Sequence, residues 1–190
     1  MNKLLKEFAD RFTRSDQSMG QIFYNDASSA SADEPLPFSL NGEIELFYRH
    51  LKMAGDPTVG GDFYVQFFTI DQLTSAQDGW LGPDNESFGW KKSFIVFADR
   101  NGDALVFDSA TEEPEIYGSI QKRSFKIADS LFIFLRALII GINIEEDEFN
   151  GDTREDDMSP KQVFINRLES EISKAGNALD VKGFMRFYFA

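Results

Sequence analysis

Residues 97–108, FADRNGDALVFD, place carboxylate and amide side chains between two apolar runs. Asp99, Asn101 and Asp103 follow one another at intervals of two residues, which is how the oxygen ligands of a calcium loop begin. The same stretch also has the composition of a hairpin turn. The remaining positions of the motif distinguish these two interpretations.

The calcium interpretation fails at the two positions that matter most. A calcium loop of this kind has glycine at its sixth position and a bidentate glutamate at its twelfth. Counting from Asp99, those positions hold Ala104 and Ala110. The dipeptide Asn101-Gly102 is instead the strongest local signal for a two-residue hairpin, because both residues tolerate a positive φ. The sequence therefore predicts a hairpin, with no metal bound at these residues.

Residues suited to nucleophilic or acid–base catalysis are few. The chain has no Cys, which excludes disulfides, thiolate zinc sites and cysteine nucleophiles. Its single histidine, His50, lies beside Tyr48 and Arg49 in a predicted helix. No nucleophile elbow or glycine-rich phosphate loop accompanies it. We therefore expect His50 to be structural, and the protein to be neither an enzyme nor dependent on a cofactor.

Negative charge dominates the chemistry of the chain. It has 32 Asp and Glu against 19 Lys and Arg, which gives a formal net charge of −13. Such a field repels nucleic-acid phosphates and anionic membranes and attracts basic partners. We therefore expect a basic protein partner, and no binding to nucleic acid or to a membrane.

The charge is concentrated in residues 145–157, EEDEFNGDTREDD, which contain eight acids and one arginine. Charged side chains at this density are normally solvated, so the sequence predicts an exposed acidic segment that contacts the partner. The expected contact residues are Glu145, Glu146, Asp147, Glu148, Asp152, Glu155, Asp156 and Asp157.

The two tryptophans lie in the stretch DGWLGPDNESFGW, which is predicted to be a loop. Trp80 and Trp90 are candidates for apolar anchors of the partner site, because tryptophan is enriched where binding energy concentrates. The alternative is that they seal the core beneath the loop.

The helices that must position these residues follow from hydrophobic periodicity. Apolar residues at intervals of three and four predict helices over residues 2–13, 39–53 and 125–140. A further helix is predicted over residues 159–176, with Ser159 as its N-cap and Pro160 at its first position. Its narrow apolar stripe would consist of Val163, Ile165 and Leu168.

Runs of β-forming residues predict the sheet. The expected strands cover residues 62–69, 92–98, 103–109 and 115–121, and a short helix follows the first of them at 70–77. This order of helices, strands and helices is typical of an α+β fold with an antiparallel sheet. The aromatic residues 183–190 are expected to pack against the body.

Length and hydropathy predict one cytoplasmic domain. A chain of 190 residues favours a single domain. Its first residues lack the unbroken apolar segment and cleavage site of a signal peptide. The most apolar stretch, residues 127–144, contains Asp129 and Arg136 and is too short to span a membrane cleanly.

Four short motifs, in order, resemble the SUKH superfamily. PLPFSLNGEIELFYRHL is similar to the helix that begins the SUKH fold, and GGDFYVQFFTIDQL is similar to its first strand and the short helix after it. WKKSFIVFADRNGDALVFD resembles its central hairpin, and SFKIADSLFIFLRAL resembles its closing helix. The resemblance covers about residues 35–140 of a single domain, 1–190, and leaves residues 145–190 as an acidic segment with a C-terminal helical extension.

The resemblance implies a bent antiparallel sheet packed against helices, with an extra C-terminal helix in this chain. Many bacterial members of the superfamily are immunity proteins that bind and neutralise a cognate toxin, often a nuclease, whereas eukaryotic relatives regulate cell-wall synthesis and signalling. The resemblance therefore implies two functions: toxin neutralisation by direct binding, or a regulatory or adaptor role with no toxin partner.

Overall fold

A computed structural model of the protein describes residues 2–26, 40–80, 90–111 and 113–189. Seven strands form one antiparallel sheet in which spatial order follows chain order. The strands are β1 (Met19–Tyr24), β2 (Leu51–Val59), β3 (Val65–Phe67), β4 (Phe94–Arg100), β5 (Asp103–Asp108), β6 (Ile116–Ile120) and β7 (Arg123–Ala128).

Helices precede, interrupt and follow the sheet, which confirms the α+β class and the C-terminal helix predicted from the sequence. A short 3₁₀ turn (Ile70–Gln72) leads into α3, and a π-helical turn (Ile144–Glu148) continues α4. The α-helices are α1 (Asn2–Arg14), α2 (Gly42–His50), α3 (Leu73–Ala76), α4 (Leu131–Asn143), α5 (Gln162–Ile172) and α6 (Val181–Phe189).

The two faces of the sheet carry separate apolar clusters. Alternation along β4 sends Ile95 and Phe97 into a large core shared with the helices. Phe94 and Val96 point to the opposite face and join a smaller cluster with Trp90. The large core includes residues from both α1 and α6, so both ends of the described chain pack into it.

The hairpin predicted around Asn101-Gly102 is confirmed. Strands β4 and β5 pair up to Arg100 and Asp103, and the two residues between them have φ values of 55° and 89°. The Asp99 carboxylate accepts a hydrogen bond from the Gly102 N–H at 3.1 Å. Asp103 accepts one from the Gln121 N–H, also at 3.1 Å. Both carboxylates therefore serve the turn and its neighbouring strand.

The predicted helix over residues 39–53 is wrong at its C-terminal end. Helix α2 ends at His50, and Leu51 begins β2 without an intervening loop. Strand β2 pairs with β1, a strand that no sequence pattern above predicts. The spacing of the apolar residues expresses only a local preference for helix. Pairing between β1 and β2 is a tertiary contact that overrides this preference.

The predicted helix over residues 125–140 begins too early. Residues 123–128 form the edge strand β7, and α4 starts at Leu131 after the N-cap Ser130, whose hydroxyl accepts from the Ile133 N–H. The strand predicted over residues 62–69 is reduced to Val65–Phe67, and residues 61–63 form a turn before it.

The predicted start of the helix over residues 159–176 is also wrong. Helix α5 begins at Gln162 with Lys161 as its N-cap residue, and Ser159 is bonded instead to Asp157. Val163, expected in the apolar stripe, is 62% exposed. The buried residues of α5 are Phe164, Leu168 and Ile172, spaced four apart.

Candidate partner-binding surface

The acidic segment begins inside the fold. The π-helical turn Ile144–Glu148 carries Glu145 into the core, where the residue is 3% exposed. Its Oε1 accepts a hydrogen bond from the Asp62 N–H at 2.8 Å. Burial raises the pKa of Glu145 to about 7, and the hydrogen bond from Asp62 only partly opposes this. Glu145 therefore holds the turn between β2 and β3 and is not available to a partner.

Glu146 is anchored to α1. Arg11 of that helix is 5% exposed, and its guanidinium lies 2.9 Å from Glu146 and 3.2 Å from Asp147. It also donates to the Ile142 carbonyl at 3.1 Å, at the end of α4. The Ser15 hydroxyl donates to the other oxygen of Glu146. The prediction that all eight acids are solvated is therefore wrong for Glu145 and Glu146.

A sequence signal for this buried pair exists in α1. Arg11 follows Phe8 by three residues and immediately precedes Phe12, so it lies on the apolar side of an amphipathic helix. A buried guanidinium requires acidic or carbonyl partners, and the acidic segment supplies them. Which acids it takes could not be predicted from spacing, because the partners are 135 residues apart.

The middle of the segment is exposed but paired within the chain. Arg167 of α5 binds both oxygens of Glu148, at 2.8 and 2.9 Å. Lys161 binds Asp152 at 2.5 Å. Exposed pairs of this kind contribute little stability, but they neutralise charge that a partner would otherwise meet.

Residues 155–159, here called the acidic turn, form a closed loop. Arg154 and Pro160 are bridged across its base. The Glu155 N–H donates to the Ser159 carbonyl at 2.8 Å, and the Met158 N–H donates to the Glu155 carbonyl at 2.9 Å. The Asp157 carboxylate accepts from the backbone and the hydroxyl of Ser159, which lowers the pKa of Asp157.

Arg154 fastens the acidic turn to the body of the protein. Its Nε lies 2.5 Å from the carboxylate of Asp62, which is buried in the turn between β2 and β3. Its Nη1 donates to the Met158 carbonyl at 2.6 Å. The turn is thus preformed, and its side chains Glu155, Asp156 and Asp157 are all exposed. Within the described part of the chain, none of these three acids makes an ion pair.

The tryptophans do not belong to this surface. Their rings stack at 4.9 Å, and Trp90 is 5% exposed and packs against Phe94 on the outer face of the sheet. The acidic turn lies near the other end of β4, where Arg100 donates to the Asp62 carbonyl. The length of β4 separates these ends by about 20 Å. Trp90 therefore seals a small core, and Trp80 covers it. Residues 81–89 of the loop predicted over 78–90 lie outside the described residues.

The remaining sequence candidate, His50, has structural surroundings. The half-buried His50 stacks on Tyr24 at 5.8 Å, and its Nδ1 lies 3.1 Å from the Asn25 carbonyl. Across the ranges that the structure describes, no group of three or more His, Asp or Glu is placed to hold a metal ion. In the same ranges, every helix is too short or too polar to cross a membrane.

Comparison with known proteins adds no relatives to these observations. The chain matches no protein-family model, no curated protein and no solved structure.

Proposed function

We propose that this protein is a non-catalytic binding protein that neutralises a basic partner, a cognate bacterial toxin, by covering the partner's active surface. The observation that carries the proposal is the acidic turn: three consecutive exposed acids, fixed by hydrogen bonds and left without ion pairs among the described residues. The motif resemblance to SUKH immunity proteins supports the same function.

Preorganisation makes the acidic turn suitable for recognition. Binding orders mobile side chains and loops at a cost in entropy, and a turn already closed by its own hydrogen bonds avoids part of that cost. Arg154 contributes by tying the turn to buried Asp62. The exposed carboxylates then project from a fixed base toward solvent.

The chemistry of the partner follows from the charge. A nuclease has lysine and arginine where it binds phosphate, and an acidic surface can occupy the same positions. The net charge of −13 accelerates the encounter with such a site, and the effect weakens as salt screens it. We therefore propose fast, salt-dependent association with a toxin whose active site is basic.

A co-expression experiment tests the proposal. The product of the gene adjacent to the one encoding this chain is expressed alone and together with it. We expect growth arrest in the first case, recovery in the second, and a stable complex in a pull-down. A complex without any toxicity to relieve would favour the regulatory or adaptor role, and no complex would contradict the toxin-binding role.

A further inference from the structure

The acidic turn carries an exposed apolar side chain next to its three acids. Met158 is 67% exposed, more than any other large hydrophobic residue that the structure describes. Val163, in the first turn of α5, is next at 62%. Of the three remaining exposed hydrophobics, Met19 and Phe23 lie on β1, and Tyr64 lies in the turn between β2 and β3. The two most exposed apolar side chains thus lie in one continuous stretch, residues 155–163.

We propose that Met158 and Val163 are apolar anchors of a docking surface, and that the partner's basic site contains an apolar recess ringed by lysine or arginine. This inference rests on the proposed function and specifies the chemistry of its partner. Specific interfaces have this anatomy, with an apolar centre and a polar rim. Glu155, Asp156 and Asp157 supply the rim.

Charge complementarity indicates which kind of molecule binds this docking surface. A second copy of this chain would place the three acids of one turn against those of another, between molecules that each carry −13. An anionic membrane would be repelled in the same way. A basic protein surface pairs with the three acids of the rim, and its apolar recess removes Met158 and Val163 from water.

The two kinds of residue have separable effects. Exposed acids act mainly on the rate of encounter, because they steer the partner from a distance. Buried apolar anchors act mainly on dissociation, because their contacts exist only in the complex. Methionine suits this role because its flexible thioether adapts to an irregular recess.

Two synthetic peptides provide the test without requiring the natural partner. Both have the same length and number of lysines; in one the lysines alternate with leucine, and in the other with serine. We expect the leucine peptide to bind the protein about tenfold more tightly, because only its side chains can bury Met158 and Val163. The methyl NMR signal of Met158 should shift with the leucine peptide, while that of Met19 stays in place.

Matched variants complete the design. The double substitution Met158→Ser and Val163→Ser should abolish the preference for the leucine peptide, whereas Met19→Ser, at an exposed methionine on β1, should leave it intact. Equal affinity of the parent for both peptides, or a shift at Met19 alone, would overturn the anchors. If the parent binds both peptides equally, and the double substitution Glu155→Gln and Asp156→Asn weakens the binding of both, the acidic residues bind a basic partner without the apolar anchors. If neither peptide binds, the proposal that the acidic turn binds a basic partner is contradicted as well.

Discussion

The two ends of the acidic segment have similar composition and opposite environments. At its start, Glu145 and Glu146 are buried or bonded to Arg11, and they join α4 to α1 and to the turn between β2 and β3. At its end, Glu155 and Asp156 face solvent on a turn that Arg154 holds in place. A run of acids is therefore not one functional unit. Its role at each position depends on which groups of the same chain reach it.

This difference also explains how the exposed half can be rigid. Glu145 binds the Asp62 N–H, Asp62 pairs with Arg154, and Arg154 binds the Met158 carbonyl. The structural end of the segment thus supports the end that faces solvent. Loss of the Arg11 contacts at the first end should lower stability, and substitution of the exposed acids at the second should affect binding alone.

The largest expected effect is at Arg11. Replacing Arg11 with Ala removes the cation that pairs with Glu146 and the donor to the Ile142 carbonyl, which should lower the free energy of unfolding by about 3–5 kcal/mol. The control is Arg167→Ala, whose exposed pair with Glu148 should contribute below about 1 kcal/mol. Denaturant unfolding of both variants measures the contrast, and equal losses would mean that Arg11 is not a buried anchor.

The second prediction concerns pH. The pKa of Glu145 rises from 4.5 to about 7 on folding, so its contribution to stability is complete below pH 4.5 and is lost as pH rises through 7. This difference in pKa corresponds to about 3 kcal/mol in the free energy of unfolding. Glu145→Gln should remove this dependence, so the parent should lose stability relative to the variant between pH 5 and pH 8. Urea unfolding at the two pH values tests this, and parallel behaviour of the two proteins would refute it.

The third prediction compares two glycines with positive φ. A Cβ at Gly61 would overlap the Glu145 carboxylate, whereas one at Gly102 would meet open space. Gly61→Ala should therefore destabilise the protein by about 2 kcal/mol or more, and Gly102→Ala by about 1 kcal/mol from backbone strain alone. Thermal unfolding distinguishes the two. A milder effect at Gly61 than at Gly102 would show that Glu145 does not pack against the turn.

A small gain in stability is expected at Met158. Its φ of 68° is unfavourable for a residue with a Cβ, and its side chain contributes little to the core because it is mostly exposed. Met158→Gly should therefore stabilise the fold by about 0.5–1 kcal/mol. Calorimetry measures the change, and a loss of stability would indicate that Met158 has a structural role.

Structure that depends on neighbouring residues could be predicted from the sequence, whereas pairing between distant parts of the chain could not. Asn101-Gly102 identified its hairpin because the turn depends on those residues themselves. Helix α1 followed from the spacing of its apolar residues. Strand β2 was missed because Gly55, Asp56 and Pro57 interrupt any alternating pattern within it.

The candidate surface was predictable in composition but not in extent. Eight acids indicated a charged segment, yet nothing local showed that Glu145 would bind the turn between β2 and β3, or that Arg11 and Arg154 would each pair with a distant acid. The exposure of Met158 was also hidden, because it depends on how residues 154–160 close into a turn. Charge patterns report solvation only where no distant residue of the chain provides a partner.

The division of the acidic segment is tested most directly at its exposed end. The double variant Glu155→Gln and Asp156→Asn is compared with the parent in unfolding free energy and in its association rate with the adjacent gene product, at several salt concentrations. We expect stability to change by less than about 0.5 kcal/mol and the association rate to fall, with a weaker dependence on salt. Unchanged association at all salt concentrations, or a loss of stability as large as that of Arg11→Ala, would contradict the account.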